Sequence, residues 1–530
     1  MTEPREEAAM ERAGTPSSPV FVTTIYGHAY APFLAPHLRS LATIQPGARG
    51  VVLWQDLPER EIALLAAAFP RWTFTKTDAD VSGSLHQRIP RKLHAWRAAC
   101  AAFPDDPIAF VDCDTLLVRP LDAFVNPPGW DVIYTWKDEP FPINTGVILA
   151  RDGRTAATLL DEWVRKVERI VRDPASLAAA VGSSGAADQH ALREMIGWVH
   201  YDRDATRSVA GRELVFRGVP CRRLNETNCR PMTDDLHIIH YKTGWHPILL
   251  QGASFTRNRP EERCREMFAH WRASDAAART AVAREAVTAS ARAAEERFSP
   301  LADGYQERGI LNSEMLAVCG TCDRLGVDVI LESGRCRGQS TLVLARYFLN
   351  RSVRIVSVEL DRNEEGGVNS VFAEARLAPF KSVELLYGDG TRIIPELLRT
   401  MPDARVAVLL DGPKGMPAVG FLDNLFAEHA NVAAAFLHDT RRGTPQRAEL
   451  ERADRPGGAR RAFFTDDAEY VRAFAPLDRT CLPKAASGIT IHTWRPGMKG
   501  HDAILSYGPT LACLFPIPAS EVRTHQEQPA

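Results

Sequence analysis

Twice along this chain, short runs of β-branched and aromatic residues alternate with longer amphipathic stretches, and this double alternation restricts the fold more than any other feature. The first series includes Val20-Phe21-Val22-Thr23-Thr24-Ile25, Val51-Val52-Leu53-Trp54 and Ile108-Ala109-Phe110-Val111, and runs on to His237-Ile238-Ile239-His240. Apolar runs this short, separated by helix-length segments, predict α/β layers. Pro260 to Glu296 breaks the pattern with an Ala-, Arg- and Glu-rich stretch that reads as helix with weak amphipathicity. A second series follows, with strands expected at Val327 to Leu331, Val353 to Val358, Val383 to Leu386, Val406 to Leu410 and Ala433 to Leu437. Strands at that spacing predict a doubly wound sheet, with Gly457-Gly458 and the turns around Pro483 and Pro496 shaping late hairpins that close it. The expected organisation is a tail over 1–19, an α/β domain over 20–258, a helical connector over 259–304, a second α/β domain over 305–515 and a tail over 516–530.

Length supports the division, because 530 residues exceed what one hydrophobic core serves. The 64 basic and 66 acidic residues nearly cancel, so no global field favours nucleic acid, and a polyanionic ligand must be met locally. The ten cysteines lack paired short spacings apart from Cys319-Gly-Thr-Cys322, in a stretch that reads as helix. Reduced thiols and an N-terminus without a basic start or apolar run point to a cytoplasmic setting. No apolar segment approaches the roughly 18 residues that span a bilayer, so any membrane contact would be peripheral.

Phe110-Val111-Asp112-Cys113-Asp114-Thr115 places two carboxylates one residue apart where a buried strand runs out. Carboxylates so placed suit a hard cation, Mg²⁺ or Mn²⁺, whose remaining coordination a diphosphate can fill. Alone, Asp-x-Asp also occurs in surface turns. Its companions, in order, are Pro142-Ile143-Asn144-Thr145-Gly146-Val147, Ala187-Asp188-Gln189-His190 and His237-Ile238-Ile239-His240-Tyr241-Lys242-Thr243-Gly244-Trp245-His246-Pro247. Taken singly, His240 reads as a strand-end histidine, Asn144 as a turn former, and Lys92 with Trp96 as one face of a helix. The ordered set reads otherwise.

Over about residues 20 to 250 this set resembles the GT-A fold glycosyltransferases of the glycogenin and bacterial lipopolysaccharide galactosyltransferase type. The resemblance implies a nucleotide-diphosphate sugar as donor and a glycan or other acceptor. It also implies Asp112, Asp114 and His240 as metal ligands, Asn144 near the sugar and acceptor, and Asp188 and Gln189 lining the reacting face. Lys242 and His246 would meet the diphosphate. The family's closing pattern, His-Phe-x-Gly-x-x-Lys-Pro-Trp, is altered here: the glycine comes one residue later and His246 stands where lysine is expected. Retention and inversion both stay open. A nucleotidyltransferase would also use paired aspartates, but Thr23-Thr24-Ile25-Tyr26-Gly27 lacks the Gly-rich basic loop such an enzyme carries after its first strand.

In the second half, Ile330-Leu331-Glu332-Ser333-Gly334-Arg335-Cys336-Arg337-Gly338-Gln339-Ser340-Thr341 runs from a buried strand through a glycine-bearing turn into a helix, the form of a nucleotide-cofactor loop. Gly334 would allow the turn, Gly338 a close approach, and Glu359 at the end of the next strand could accept from ribose hydroxyls. This half, about residues 305 to 515, resembles class I S-adenosylmethionine-dependent methyltransferases, whose loop often reads Glu-x-Gly-x-x-x-Gly-x-Ser. The resemblance implies a Rossmann-like fold, with Glu332 in the cofactor loop and Asp389 beside the adenine. To the metal-dependent catechol type it adds Asp411 and Asp439 as metal ligands, with Lys414 or His438 as the base; Thr440 replaces that family's asparagine. The expected protein is bifunctional, a sugar transferase that also methylates a hydroxyl. The alternative is a glycosyltransferase carrying an inactive, cofactor-binding scaffold.

Overall fold

The computed structural model describes residues 18–45, 47–78, 85–137, 142–197, 203–227, 232–242, 245–251, 261–304, 310–453, 460–478 and 509–516. The turns expected at Gly457-Gly458, Pro483 and Pro496 lie outside these residues, as do nearly all of both expected tails. The chain is α/β throughout and divides into two compact units, one of Met1–Leu57 with Arg71–Asp275 and one of Pro58–Pro70 with Ala276–Ala530. The division cuts across two expected boundaries. The helix Glu59–Ala68 groups with the second unit, and the stretch expected as a connector is one helix, Glu261–Phe298, with the dividing point inside it.

In the first unit the strands are β1 (Val20–Tyr26), β2 (Arg49–Gln55), β3 (Trp72–Lys76), β4 (Ile108–Val111), β5 (Thr115–Leu117), β6 (Val132–Trp136), β7 (Ile143–Ala150), β8 (Ala205–Val209), β9 (Arg212–Pro220) and β10 (Ile238–His240). Eight of them form one sheet in the order β3-β2-β1-β4-β7-β6-β9-β8, and β10 pairs with β5 in a small antiparallel sheet. The sheet is parallel from β3 to β4 and reverses at the antiparallel pair β4·β7. Strands β4 and β7 are buried along their length because helices cover the sheet, which is why their sequences read as continuous apolar runs. Trp96, from the helix Leu85–Cys100, stacks on Phe110 with centroids 4.5 Å apart and donates to Thr24 Oγ1 at 2.7 Å, fixing that helix over β1 and β4. The helix Gly153–Arg172 adds Leu159, Leu160 and Trp163 to the same core, and Asp152 caps its start by accepting from Thr155 N at 2.6 Å. The first part of Glu261–Phe298 buries Cys264, Met267, Phe268 and Trp271 beside Phe33, Leu116 and Tyr241.

The second unit holds β11 (Val329–Ser333), β12 (Arg354–Glu359), β13 (Val383–Tyr387), β14 (Val406–Leu410), β15 (Val432–Leu437), β16 (Arg460–Phe464) and β17 (Ala512–Pro516). They pair in the order β13-β12-β11-β14-β15-β17-β16, parallel from β13 to β15, with β17 antiparallel to both its neighbours. The switch point falls between β11 and β14, whose carboxyl ends carry Ser333-Gly334 and Asp411-Gly412. Cys319 and Cys322 are buried in the helix Asn312–Arg324, and burial pushes both thiols well up, so they are core thiols. Among the described residues no helix is long and apolar enough to cross a membrane.

Candidate functional site

The first cluster forms where β4 ends against β7. Asp112 and Asp114 follow the last residue of β4, and the β10·β5 pairing sets His240 opposite Thr115, one residue beyond Asp114. His240 Nε2 lies 3.2 Å from Asp114 Oδ1 and 3.8 Å from Asp112 Oδ2, and ligand-capable atoms of all three residues lie within 4.8 Å of one another. The approach needs Gly146. A Cβ there would stand 2.6 Å from His240 Nδ1 and 3.0 Å from Asp112 Oδ2. The glycine of Asn144-Thr145-Gly146 thus supplies room for the histidine to reach the two carboxylates.

Asp114 is buried, which alone would raise its pKa, but His240 and His246 outweigh burial and hold the carboxyl well below the usual range. His246 does this from behind. Its Nε2 donates to Tyr241 O at 2.7 Å and lies 3.1 Å from Asp114 Oδ2, while the Phe33 and Tyr30 rings pack on the imidazole. The residue expected to meet a diphosphate thus also buttresses a carboxylate. Lys242 is mostly buried, and burial followed by the charge of Lys137 lowers its pKa. The altered spacing at Thr243-Gly244 lies outside the described residues.

Lys92, which reads in the sequence as part of a helix face, belongs to the cluster: Nζ sits 2.5 Å from Asp112 Oδ1 and 4.4 Å from the centre of the Trp96 ring. Burial would lower its pKa, but Asp112, Asp188 and Asp114 together raise it, so it stays charged. Asn144 Oδ1 accepts from Gly146 N at 3.0 Å, and Asp188 Oδ2 accepts from Thr145 Oγ1 at 2.6 Å. The other polar atoms of these two side chains, Asn144 Nδ2 and Asp188 Oδ1, are buried without a partner. Such atoms are costly to leave unsatisfied, and a ligand or water reaching them would complete them. Gln189 is a strut by contrast, since the amide orientation that satisfies its surroundings donates to Ile143 O at 2.6 Å and to Ser184 O at 3.0 Å.

Three ligand-capable atoms close together, with unpartnered buried groups beside them, fit a divalent cation and a polar ligand. The residues that position them include Asn225 and Thr135, both fully buried, and nothing in the sequence singles these out.

In the second unit, the glycine-bearing turn leaves β11 as expected, but each glycine has a packing reason. At Gly334, φ is +90° and a Cβ would stand 2.8 Å from Gly412 N; at Gly338, φ is +74° and a Cβ would stand 3.0 Å from Leu377 Cδ1. Both positions require the left-handed region that glycine tolerates. Glu332 is wholly buried and accepts from the hydroxyls of Ser340, Thr341 and Ser357, so it locks the loop to β12. Glu359 accepts from Cys336 N at 2.7 Å and Leu360 N at 2.9 Å, closing the same loop and leaving lone pairs for a further donor. Asp389 caps the helix Gly390–Thr400 by accepting from Thr391 N at 2.9 Å.

Asp411, His438 and Asp439 also bring ligand atoms within 4.8 Å of one another. Here the charge is balanced from within. Lys414 bridges Asp411, at 3.2 Å, and Asp439, while His438 sets Nδ1 2.8 Å from Asp411 Oδ1 and Nε2 3.5 Å from Glu314 Oε2. Burial would lower the His438 pKa, but Glu314 and Asp411 raise it well above the ordinary value; Lys414 is raised likewise by Asp411 and Asp439 against its own burial. Both are therefore protonated near neutrality. As placed, this donor set fits a divalent ion less well than the first, because both histidine nitrogens face carboxylates and an ammonium spans the pair. Glu314 is a further residue the motifs did not reveal; its Oε2 also accepts from Leu311 N at 2.8 Å.

No family model and no curated protein matches the sequence. Among solved structures, the glycosyltransferase GlyE of Streptococcus pneumoniae TIGR4 aligns over 76% of this chain and 90% of its own, at 11% identity and a TM-score of 0.36. The galactosyltransferase LgtC, solved in complex with donor and acceptor sugar analogs, aligns over 48% of this chain and 99% of its own, at 15% identity and a TM-score of 0.29. The bifunctional glycosyltransferase WbbM in its apo form aligns over 48% of this chain and 50% of its own, at 13% identity and a TM-score of 0.30. At this distance the likeness carries no activity from those proteins to this chain.

Proposed function

We propose that the first unit transfers a sugar from a nucleotide-diphosphate sugar to a glycan or other hydroxyl acceptor, with Mn²⁺ or Mg²⁺. The observation that carries this reading is the convergence of Asp112 Oδ2, Asp114 Oδ1 and His240 Nε2 beside the unpartnered Asn144 Nδ2 and Asp188 Oδ1. A divalent ion held by those three residues supplies charge neutralisation for the departing diphosphate. The protein's own contribution is orientation and charge. Burial and the charge of Lys137 disfavour the Lys242 ammonium, and an anion such as a diphosphate would relieve that. Asn144 offers a donor to a sugar hydroxyl, and Asp188 an acceptor or a negative charge facing a developing oxocarbenium centre. Lys92 balances the acidic cluster. In the test, Asp112→Ala or Asp114→Ala abolishes Mn²⁺-stimulated hydrolysis of nucleotide sugars; undiminished turnover overturns the mechanism.

A second reading is favoured by the order of the β11–β17 sheet together with the loop locked by Glu332 and Glu359. The second unit then binds S-adenosylmethionine and methylates a hydroxyl, with Lys414 and His438 facing the acceptor beside Asp411 and Asp439. Since both cations are protonated at rest, either can remove a proton only after its carboxylate partners are engaged elsewhere. Calorimetry should show S-adenosylmethionine binding that Glu359→Ala weakens. No binding to the intact chain would leave the second unit as an inactive scaffold.

A further inference from the structure

We infer that Asn225 is a positioning residue that fixes the tautomer of His240 and so keeps the first cluster open to a metal ion; this rests on the metal reading above and names a residue outside it. One chain of hydrogen bonds, its direction set at its far end, reaches the imidazole. Thr135 Oγ1 donates its single proton to Asn144 O at 2.8 Å. Toward Asn225 it can therefore only accept, and it does so from Nδ2 at 3.0 Å. This orients the Asn225 amide so that Oδ1 faces His240 Nδ1 at 3.0 Å. An amide oxygen only accepts, so the imidazole carries a proton on Nδ1. The Cys221 thiol near Thr135, pushed up to about 11 by burial, remains a weak neutral partner and does not alter this direction.

The consequence appears at the other nitrogen. With Nδ1–H committed to Asn225, Nε2 is the nitrogen turned toward Asp114 Oδ1 and Asp112 Oδ2, where its lone pair is the one a metal ion would take. A divalent ion there would take the place of any proton shared with the carboxylates. In the opposite tautomer Nε2–H would donate to Asp114 Oδ1 and close the site as a hydrogen bond. The backbone supports the same end: His240 N donates to Glu226 O and Glu226 N to Ile238 O, both at 2.9 Å, so the segment carrying Asn225 is laced to β10. Outer partners that fix a ligating histidine typically change metal affinity about 10- to 100-fold when removed.

The experiment uses the full chain and two readouts. Selective ¹⁵N-histidine NMR on the metal-free protein should show His240 as the Nδ1–H tautomer, and Asn225→Leu should move it toward Nε2–H. Titration with MnCl₂ followed by electron paramagnetic resonance should show affinity falling about 10- to 100-fold in Asn225→Leu and returning to within a few-fold of the original in Asn225→Asp, which retains the acceptor oxygen. Circular dichroism and thermal melting check that both variants fold. A wild-type Nε2–H tautomer, or equal Mn²⁺ affinity in the folded Leu variant, overturns the inference. Should the wild type bind no Mn²⁺ sensitive to Asp112→Ala, the metal reading fails separately, and the tautomer of the metal-free protein still decides the role of Asn225.

Discussion

Lys92 Nζ sits 2.5 Å from Asp112 Oδ1, on the carboxylate oxygen turned away from His240, so a single aspartate is shared between a resident ammonium and the proposed metal point. The lysine therefore opposes a divalent ion electrostatically even as it steadies the carboxylate. Lys92→Met keeps most of the side-chain stem on Trp96 and removes only the charge. Nucleotide-sugar hydrolysis should fall roughly hundredfold, the scale of losing one preorganised electrostatic contact. Mn²⁺ binding should be unchanged or tighter. A parallel loss of Mn²⁺ affinity, read by calorimetry, would show that steadying Asp112 is the larger effect.

Gly146→Ala tests the space that lets the cluster exist. The new Cβ would stand 2.6 Å from His240 Nδ1, with Asn225 Oδ1 behind that ring, so the ring must leave the carboxylates or β7 must move. Overpacking of this kind costs about 1–3 kcal/mol. The expected outcome is a folded but less stable protein, seen in urea unfolding, that no longer binds Mn²⁺. Retained Mn²⁺ affinity would mean the strand yields easily and the close approach is not needed.

How much of this was legible in sequence depends on what kind of signal a residue leaves. Asp112, Asp114, Asn144, Asp188 and His240 sit at strand ends or helix starts, where a break in apolar periodicity exposes them, and the fold gathers them into one cluster. Lys92 was read as a helix face because one turn of spacing cannot show that Asp112 lies opposite. Asn225 lies in an irregular segment with no period to violate, and its importance comes from direction along a hydrogen-bond chain, which only geometry shows. Pattern sets His246 at a diphosphate, whereas its contacts with Tyr241 O and Asp114, which make it a support of the carboxylate as well, leave no trace in the sequence. In the second unit the strand series and the turn at Gly334 are readable, whereas the internal pairing of Lys414 and His438 with three carboxylates depends on Glu314, which reaches His438 from a helix more than a hundred residues upstream.

His37 gives the first unit a pH dependence apart from its chemistry. Burial pushes this histidine down to about 4, against the opposing effects of the Thr115 carbonyl and the nearby aspartates, and it bonds Thr23 Oγ1 at 2.8 Å and Thr115 O at 3.0 Å. An unfolded histidine titrates near 6.5, so between about 6.5 and 4 the unfolded chain binds the extra proton. Stability is full above that window and falls as pH drops through it, by roughly 3 kcal/mol in all. Hydrogen exchange at β1 and β5 amides should therefore lose protection between pH 7 and pH 4.5. In His37→Gln, less stable at pH 7, that slope should flatten. Asp114 adds a loss of the same sign only at still lower pH, because its carboxyl is depressed.

Asp478 should act in the opposite sense on the second unit. Burial pushes this carboxyl up to about 7, and Glu314 adds to it, while the Ser313 contacts resist; Oδ1 accepts from Ser313 N at 2.8 Å and Oδ2 is buried without a partner. An unfolded aspartate titrates near 3.9, so between about 4 and 7 the folded state holds the extra proton. Its contribution to stability is present at low pH and is lost as pH rises toward and through about 7, by roughly 4 kcal/mol over the window. Asp478→Asn keeps the acceptor for Ser313 N and never ionises. The variant should differ least from the parent below about pH 4 and exceed it by a growing margin up to pH 8, with slower exchange of amides in Asn312–Arg324 as the measure. Equal protection across that range would mean that Asp478 ionises in the fold at little cost, with water reaching Oδ2.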